Sequence, residues 1–191
     1  MGTASEPAAT PPVDGTCPEC GFDYDGLDDA EIPEALRGFG RRYRAPLTRG
    51  LPDESLDDLV RAHPLPGWSA LEYACHVRDV FAVQRERVEQ AVAEEVPAFG
   101  PMGSVGREEM AVRDRYNDQD PSVVADQLAA NAHALAESFE GLAAERWERR
   151  FIYNYPEPSE RDLRWLARHT VHEGRHHLLD IGRVLRAARG R

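Results

Sequence analysis

Four histidines crowd the stretch HTVHEGRHHLLDI, residues 169–181, and two of the three cysteines stand in CPECG at 17–21. Imidazole nitrogen and thiolate sulfur are the side-chain donors that hold zinc and related ions. On a helix, His172 and His176 lie about 40° apart with about 6 Å of rise between them, so both rings can address one ion. His169 is about 10.5 Å from His176 along the axis and cannot join both in a compact site. His177 points about 100° away from His176, which suits an exposed or packing role. Trp165, His169, Leu179, Asp180 and Val184 share the His172/His176 face and mark it as mostly inward. Buried imidazoles without partners cost free energy; a solvated pair is the plain alternative. His76, in LEYACHVRDVF with Tyr73 and Val80 on its side, is the expected third ligand from a facing helix. Alone, it would be a hydrogen-bonded core histidine. His63 and His133 read as surface residues.

His172-Glu173-Gly174-Arg175-His176 also spells HExxH, in which Glu173 would serve a zinc peptidase as general base. Only 15 residues follow His176, Asp180 is too close in sequence to close a site with both histidines, and no strand pattern offers an edge for a peptide. The peptidase reading is therefore set aside, with Glu173 kept as a candidate catalytic residue. Asp79 and Asp180, with Glu173, sit close enough to the ligands in sequence to orient their rings. Tyr153, Asn154 and Tyr155 are candidates for a pocket mouth.

Cys17 and Cys20 make half of a zinc knuckle, whereas a full structural site takes four ligands. Cys75 is the one other thiol, and no second CxxC follows. The pair is a candidate second metal or redox site: a knuckle completed by histidine or carboxylate, a site shared between subunits, a redox couple, or two inert thiols. Three cysteines in a chain without a secretory signal argue against a disulfide framework and for a cytoplasmic location.

The 191 residues carry a net charge of −11, which disfavours nucleic acid or an anionic membrane as partner. A small-molecule substrate is expected instead, and a homodimer is left open. No apolar run is long enough to span a bilayer. All 23 basic residues are arginine, a codon bias expected of a GC-rich actinobacterium.

These side chains must be positioned by helices. Apolar residues three or four apart run from about Ile32 to Leu47, and Leu56, Leu59 and Val60 predict one short turn. Ser69 with Glu72 is a capping box opening a helix of over 20 residues that carries His76 and ends before Pro97. FGPMGSVG reads as a loop. Asp120-Pro121 starts a third helix, expected to reach about Ala144. WERRFIYNYPEP reads as extended or irregular, and Ser159 with Asp162 is expected to cap the last long helix. Strand content near zero implies an all-α four-helix bundle. Residues 1–15 are expected to be a disordered tail, 16–29 a small CxxC-containing extension, and 30–191 the bundle.

The Trp68-Ser69 helix start, His76 within WSALEYACHVRD, and the pair in VHEGRHHLLDIG resemble, in order and spacing, the DinB-like (DinB/YfiT-like) superfamily of metalloenzymes, over about residues 30–188. The resemblance implies a four-helix bundle in which His76, His172 and His176 hold a divalent metal, zinc first, with nickel or iron as alternatives. It further implies a metal-dependent S-transferase or isomerase that uses a low-molecular-weight thiol of the mycothiol type on a small electrophile. A metal-dependent hydrolase and a non-catalytic metal-stabilised binding or regulatory protein are the alternatives. CPECG is not part of the usual pattern, and His177-Leu178-Leu179 stands where the family usually has Arg-Gly-Gln.

Overall fold

The computed structural model describes residues 15–100, 102, 107–155 and 157–190. Residues 1–14 of the expected tail and most of the FGPMGSVG loop lie outside the described residues. Six helices follow in order: α1 (Ile32–Thr48), α2 (Leu56–Arg61), α3 (Ala70–Ala93), α4 (Arg107–Arg113), α5 (Pro121–Glu140) and α6 (Leu163–Ala188). Four of them are long and form the bundle. α1 and α3 each pack against both α5 and α6, so α1 stands diagonally across from α3.

Local chemistry sets the helix starts. Ser69 Oγ accepts the Glu72 N–H while the Glu72 carboxylate accepts the Ser69 N–H, the reciprocal capping box expected for α3. Asp120 accepts the backbone N–H groups of Ser122 and Val123, and Pro121 opens α5. α5 stops at Glu140, short of the expected end. Leu36, Phe39, Tyr43 and Leu47 line the buried face of α1 as their spacing requires. They meet Leu71 and Phe81 of α3, Leu128, Leu135 and Phe139 of α5, and Leu166 of α6 in one core.

Two features depart from the expected bundle. α4 is an additional short helix, and a three-stranded sheet closes one end: β1 (Ala98–Phe99), β2 (Arg150–Asn154) and β3 (Pro158–Asp162), in the order β1-β2-β3. β2 runs parallel to β1 and antiparallel to β3, with Ile152 opposite Ala98 on one side and Glu160 on the other. Phe151 and Tyr153 point inward while Arg150 and Asn154 are exposed, the two-residue period of a half-buried strand. Ser159 therefore belongs to β3, and Asp162 alone caps α6 by accepting the Trp165 N–H at 2.8 Å.

The CPECG segment is folded onto α6. Thr16 and Asp23 form a β-bridge, and the Cys17 N–H donates to Phe22 O at 2.8 Å. The Gly21 N–H donates to Cys17 O at 2.9 Å. Gly21 takes φ +65°, which a residue without Cβ adopts at no steric cost and which lets the hairpin turn this tightly. Phe22 and Tyr24 then pack their rings against His172.

Candidate metal centre

α6 carries two pairs of potential ligands at the same four-residue spacing, displaced by one residue: His172/His176 and Glu173/His177. One residue on a helix is about 100° of rotation, so the pairs look in different directions. Which pair meets α3 is decided by packing. The structure turns Glu173 and His177 toward His76, and turns His172 and His176 toward the CPECG hairpin.

At the first cluster, Glu173 Oε2 lies 3.6 Å from His177 Nε2 and 4.0 Å from His76 Nε2. Two donors each at zinc-ligand distance from one ion, arranged tetrahedrally, stand about 3.4 Å apart, so small side-chain shifts would close the set. His177 Nδ1 pairs with Asp180 Oδ2 at 3.0 Å, which fixes the ring and leaves Nε2 facing inward. Trp68 and His177 both hold their ring centroids 5.0 Å from that of His76, and Tyr73 packs on His177 at 5.3 Å.

The electrostatics follow from this crowding. Burial pushes His76 down to about 3, and the neighbouring His177 charge adds to that, so its ring is neutral and its lone pair free to donate. Burial also disfavours charge on His177, but the hydrogen bond to Asp180 and the nearby Glu173 carboxylate win and raise it to about 9. Burial opposes ionisation of Glu173 too; His177 above all, then His169 and His76, outweigh it and hold the carboxyl well below the usual range. A proton on His177 thus already sits where positive charge is favoured.

At the second cluster, Cys17, Cys20, His172 and His176 bring one ligand atom each within 4.8 Å of one another. Cys17 Sγ is 3.6 Å from His176 Nδ1. His169 does not join them in that group. Its Nδ1 pairs with the Tyr24 hydroxyl at 2.8 Å, and its ring stacks on Trp165 at 4.6 Å between centroids.

The expected trio of His76, His172 and His176 is therefore divided between two clusters. His177, expected at the surface or in packing, is buried and faces His76. The ExxxH spacing at 173 and 177 was visible in the sequence but overlapped by HxxxH at 172 and 176. Asp180 stands beside His177 rather than His172, its Oδ2 3.0 Å from His177 Nδ1. Asp79 does not orient His76: it accepts the Tyr116 hydroxyl at 2.5 Å and pairs with Arg78. Tyr153 is buried against Trp165 and His169, while Asn154 and Tyr155 are exposed. His63 and His133 are exposed, as expected.

A bundle whose inner helix faces gather imidazoles and a carboxylate has the build of helical metalloproteins. The chain belongs to the DinB superfamily, whose family model matches residues 39–181. It is similar to the structure of YfiT from Bacillus subtilis, described as a probable metal-dependent hydrolase with an unusual four-helix bundle topology. That likeness has a TM-score of 0.71 at 14% identity, over 83% of this chain and 86% of the other. It is also similar to a mycothiol-dependent maleylpyruvate isomerase, with a TM-score of 0.64 at 15% identity. There the match covers 83% of this chain but 62% of the isomerase. No curated protein matches at the level of sequence. Among the described residues no helix is long and apolar enough to cross a membrane.

Proposed function

We propose that the protein is a metal-dependent enzyme whose ion is held by His76, Glu173 and His177, and that it activates a low-molecular-weight thiol for S-transfer to, or isomerisation of, a small electrophile. The observation that carries this reading is the inward-facing Nε2 of His177, fixed by Asp180 and gathered with Glu173 and His76. Two imidazoles and one carboxylate suit catalytic zinc, and equally non-haem iron(II), because they leave a position open. With a divalent ion bound, His76, Glu173 and His177 would hold it where it would lower the pKa of a thiol or of water and so supply a nucleophile near neutral pH.

The chain's own groups prepare the rest. His76 donates from a neutral ring, Glu173 contributes the negative charge, and Asp180 fixes His177. Trp68 and Tyr73 wall the cluster and limit water on that side. The Arg107 guanidinium lies 5.7 Å from the Trp68 ring centre and brings positive charge to the rim, which suits an acidic small molecule. A thiol is placed first because the similar isomerase is described as mycothiol-dependent. Water is the second reading, because YfiT, matched over more of its own chain, is described as hydrolytic.

The test incubates metal-loaded protein with mycothiol and an electrophile such as maleylpyruvate or an activated haloarene. Consumption that needs both the thiol and the metal, and that disappears in His177→Ala, supports thiol activation. Thiol-independent cleavage of ester or amide substrates would replace it with hydrolysis. No turnover by metal-replete protein would point to a non-catalytic binding role.

A further inference from the structure

We infer that Cys17, Cys20, His172 and His176 form a second, structural zinc site that ties the N-terminal hairpin to α6. Three observations support this independently of the His76 cluster. The first is geometric. In a tetrahedral zinc site, a sulfur and a nitrogen ligand stand about 3.6 Å apart. Cys17 Sγ and His176 Nδ1 are separated by 3.6 Å, and all four ligand atoms fall within 4.8 Å of one another.

The second is a buried ring without partners. His172 has no exposed surface, and neither of its ring nitrogens makes a hydrogen bond. Its nearest carboxylate oxygen, on Glu173, is 3.8 Å away from Nδ1, too long for one. Phe22 and Tyr24 cover the ring, so water does not serve it from that side. A buried polar group left in this way is costly, and a coordinated ion removes the cost.

The third is the shape of the hairpin. CPECG closes on itself through the Cys17–Gly21 and Cys17–Phe22 backbone hydrogen bonds, and its two cysteines are free thiols grouped with the α6 histidines. Glu19, between the cysteines, also binds Arg183 of α6 at 2.9 Å, docking the turn on the same helix. The matched family segment begins at Phe39, so the thiol half of this site lies outside it. Ligands 172 and 176 interleave with 173 and 177, so an ion held by the hairpin would fix the rotation of α6 that presents Glu173 and His177 to His76.

Cobalt(II) titration of the reduced, metal-stripped protein tests this without an activity assay. Wild type should bind about two equivalents, one of them with the intense near-ultraviolet thiolate-to-cobalt band of a sulfur-ligated tetrahedral ion. A Cys17→Ser/Cys20→Ser variant should lose that band and about one equivalent. His76→Ala/His177→Ala should keep the band and lose the other equivalent; failure of that second loss alone would count against the proposed active site, not against this one. Absence of the thiolate band in wild type would overturn the inference, and so would recovery of a Cys17–Cys20 disulfide from metal-replete protein. Because the wild-type spectrum decides the matter, it stands even if a variant fails to fold.

Discussion

Asp180 Oδ2 lies 3.0 Å from His177 Nδ1 and 3.8 Å from His176 Nε2. One carboxylate thus stands behind a ring of each cluster, and each ring turns its other nitrogen toward its own set of ligands. Arg183 holds the second oxygen of Asp180 at 3.2 Å and reaches Glu19 of the hairpin. The hairpin, α6 and the His76 cluster are joined by this chain of contacts.

Asp180→Asn should weaken metal binding without emptying the bundle core. Loss of a carboxylate behind a ligating imidazole costs about 10–100-fold in metal affinity. Competition with a chromophoric chelator should show that loss at the His76 site, with a smaller loss at the sulfur-containing site because 3.8 Å is a looser contact. Unchanged affinity at both sites would remove Asp180 from the account.

His177→Ala and His172→Ala should have separable effects. The first should abolish any metal-dependent turnover by removing a ligand, while leaving the thiolate-ligated ion in place. The second should lower thermal stability through the hairpin and leave part of the turnover. If instead His172→Ala abolished turnover and His177→Ala did not, His172 would have to be returned to the catalytic set.

The sequence disclosed the bundle more readily than the site. Capping at Ser69, Asp120 and Asp162 and the stripe from Leu36 to Leu47 mark the long helices, because caps and periodicity are local. The sheet is less visible: β1 has two residues and β3 reads PSERD, so alternation is confined to β2. His76 and the histidine-rich stretch also stood out. The choice between the 172/176 and 173/177 pairs did not, because it depends on how α6 is rotated against α3. The partners of Cys17 and Cys20 were equally hidden, over 150 residues away in sequence and near only after folding.

Gly174→Ala should destabilise the fold even though alanine is the better helix former by about 1 kcal/mol. A Cβ there would stand 2.7 Å from two Phe39 ring atoms, and Phe39 is buried in the core. Tyr43 also donates to Gly174 O at 2.8 Å, so α1 sits tight against this turn of α6. Overpacking of this kind costs about 1–3 kcal/mol, and thermal melting should shift down by roughly 2–12 °C. A rise in melting temperature would show that Phe39 moves aside freely.

Thiol alkylation should distinguish the cysteines. Cys75 is fully buried and burial pushes its thiol up to about 12, so it should stay unmodified in native protein with or without chelator. Cys20 is partly exposed and should become more reactive when a chelator strips the hairpin site. Peptide mapping by mass spectrometry reads both. Equal labelling of Cys75 and Cys20 would contradict the packing of α3.

The most direct test of the central claim is anomalous scattering at the metal absorption edge in crystals of the metal-loaded protein. A peak bounded by His76 Nε2, Glu173 and His177 Nε2, resolved from any density beside Cys17, is expected. A single peak shared by His76, His172 and His176, with His177 turned away, would contradict it.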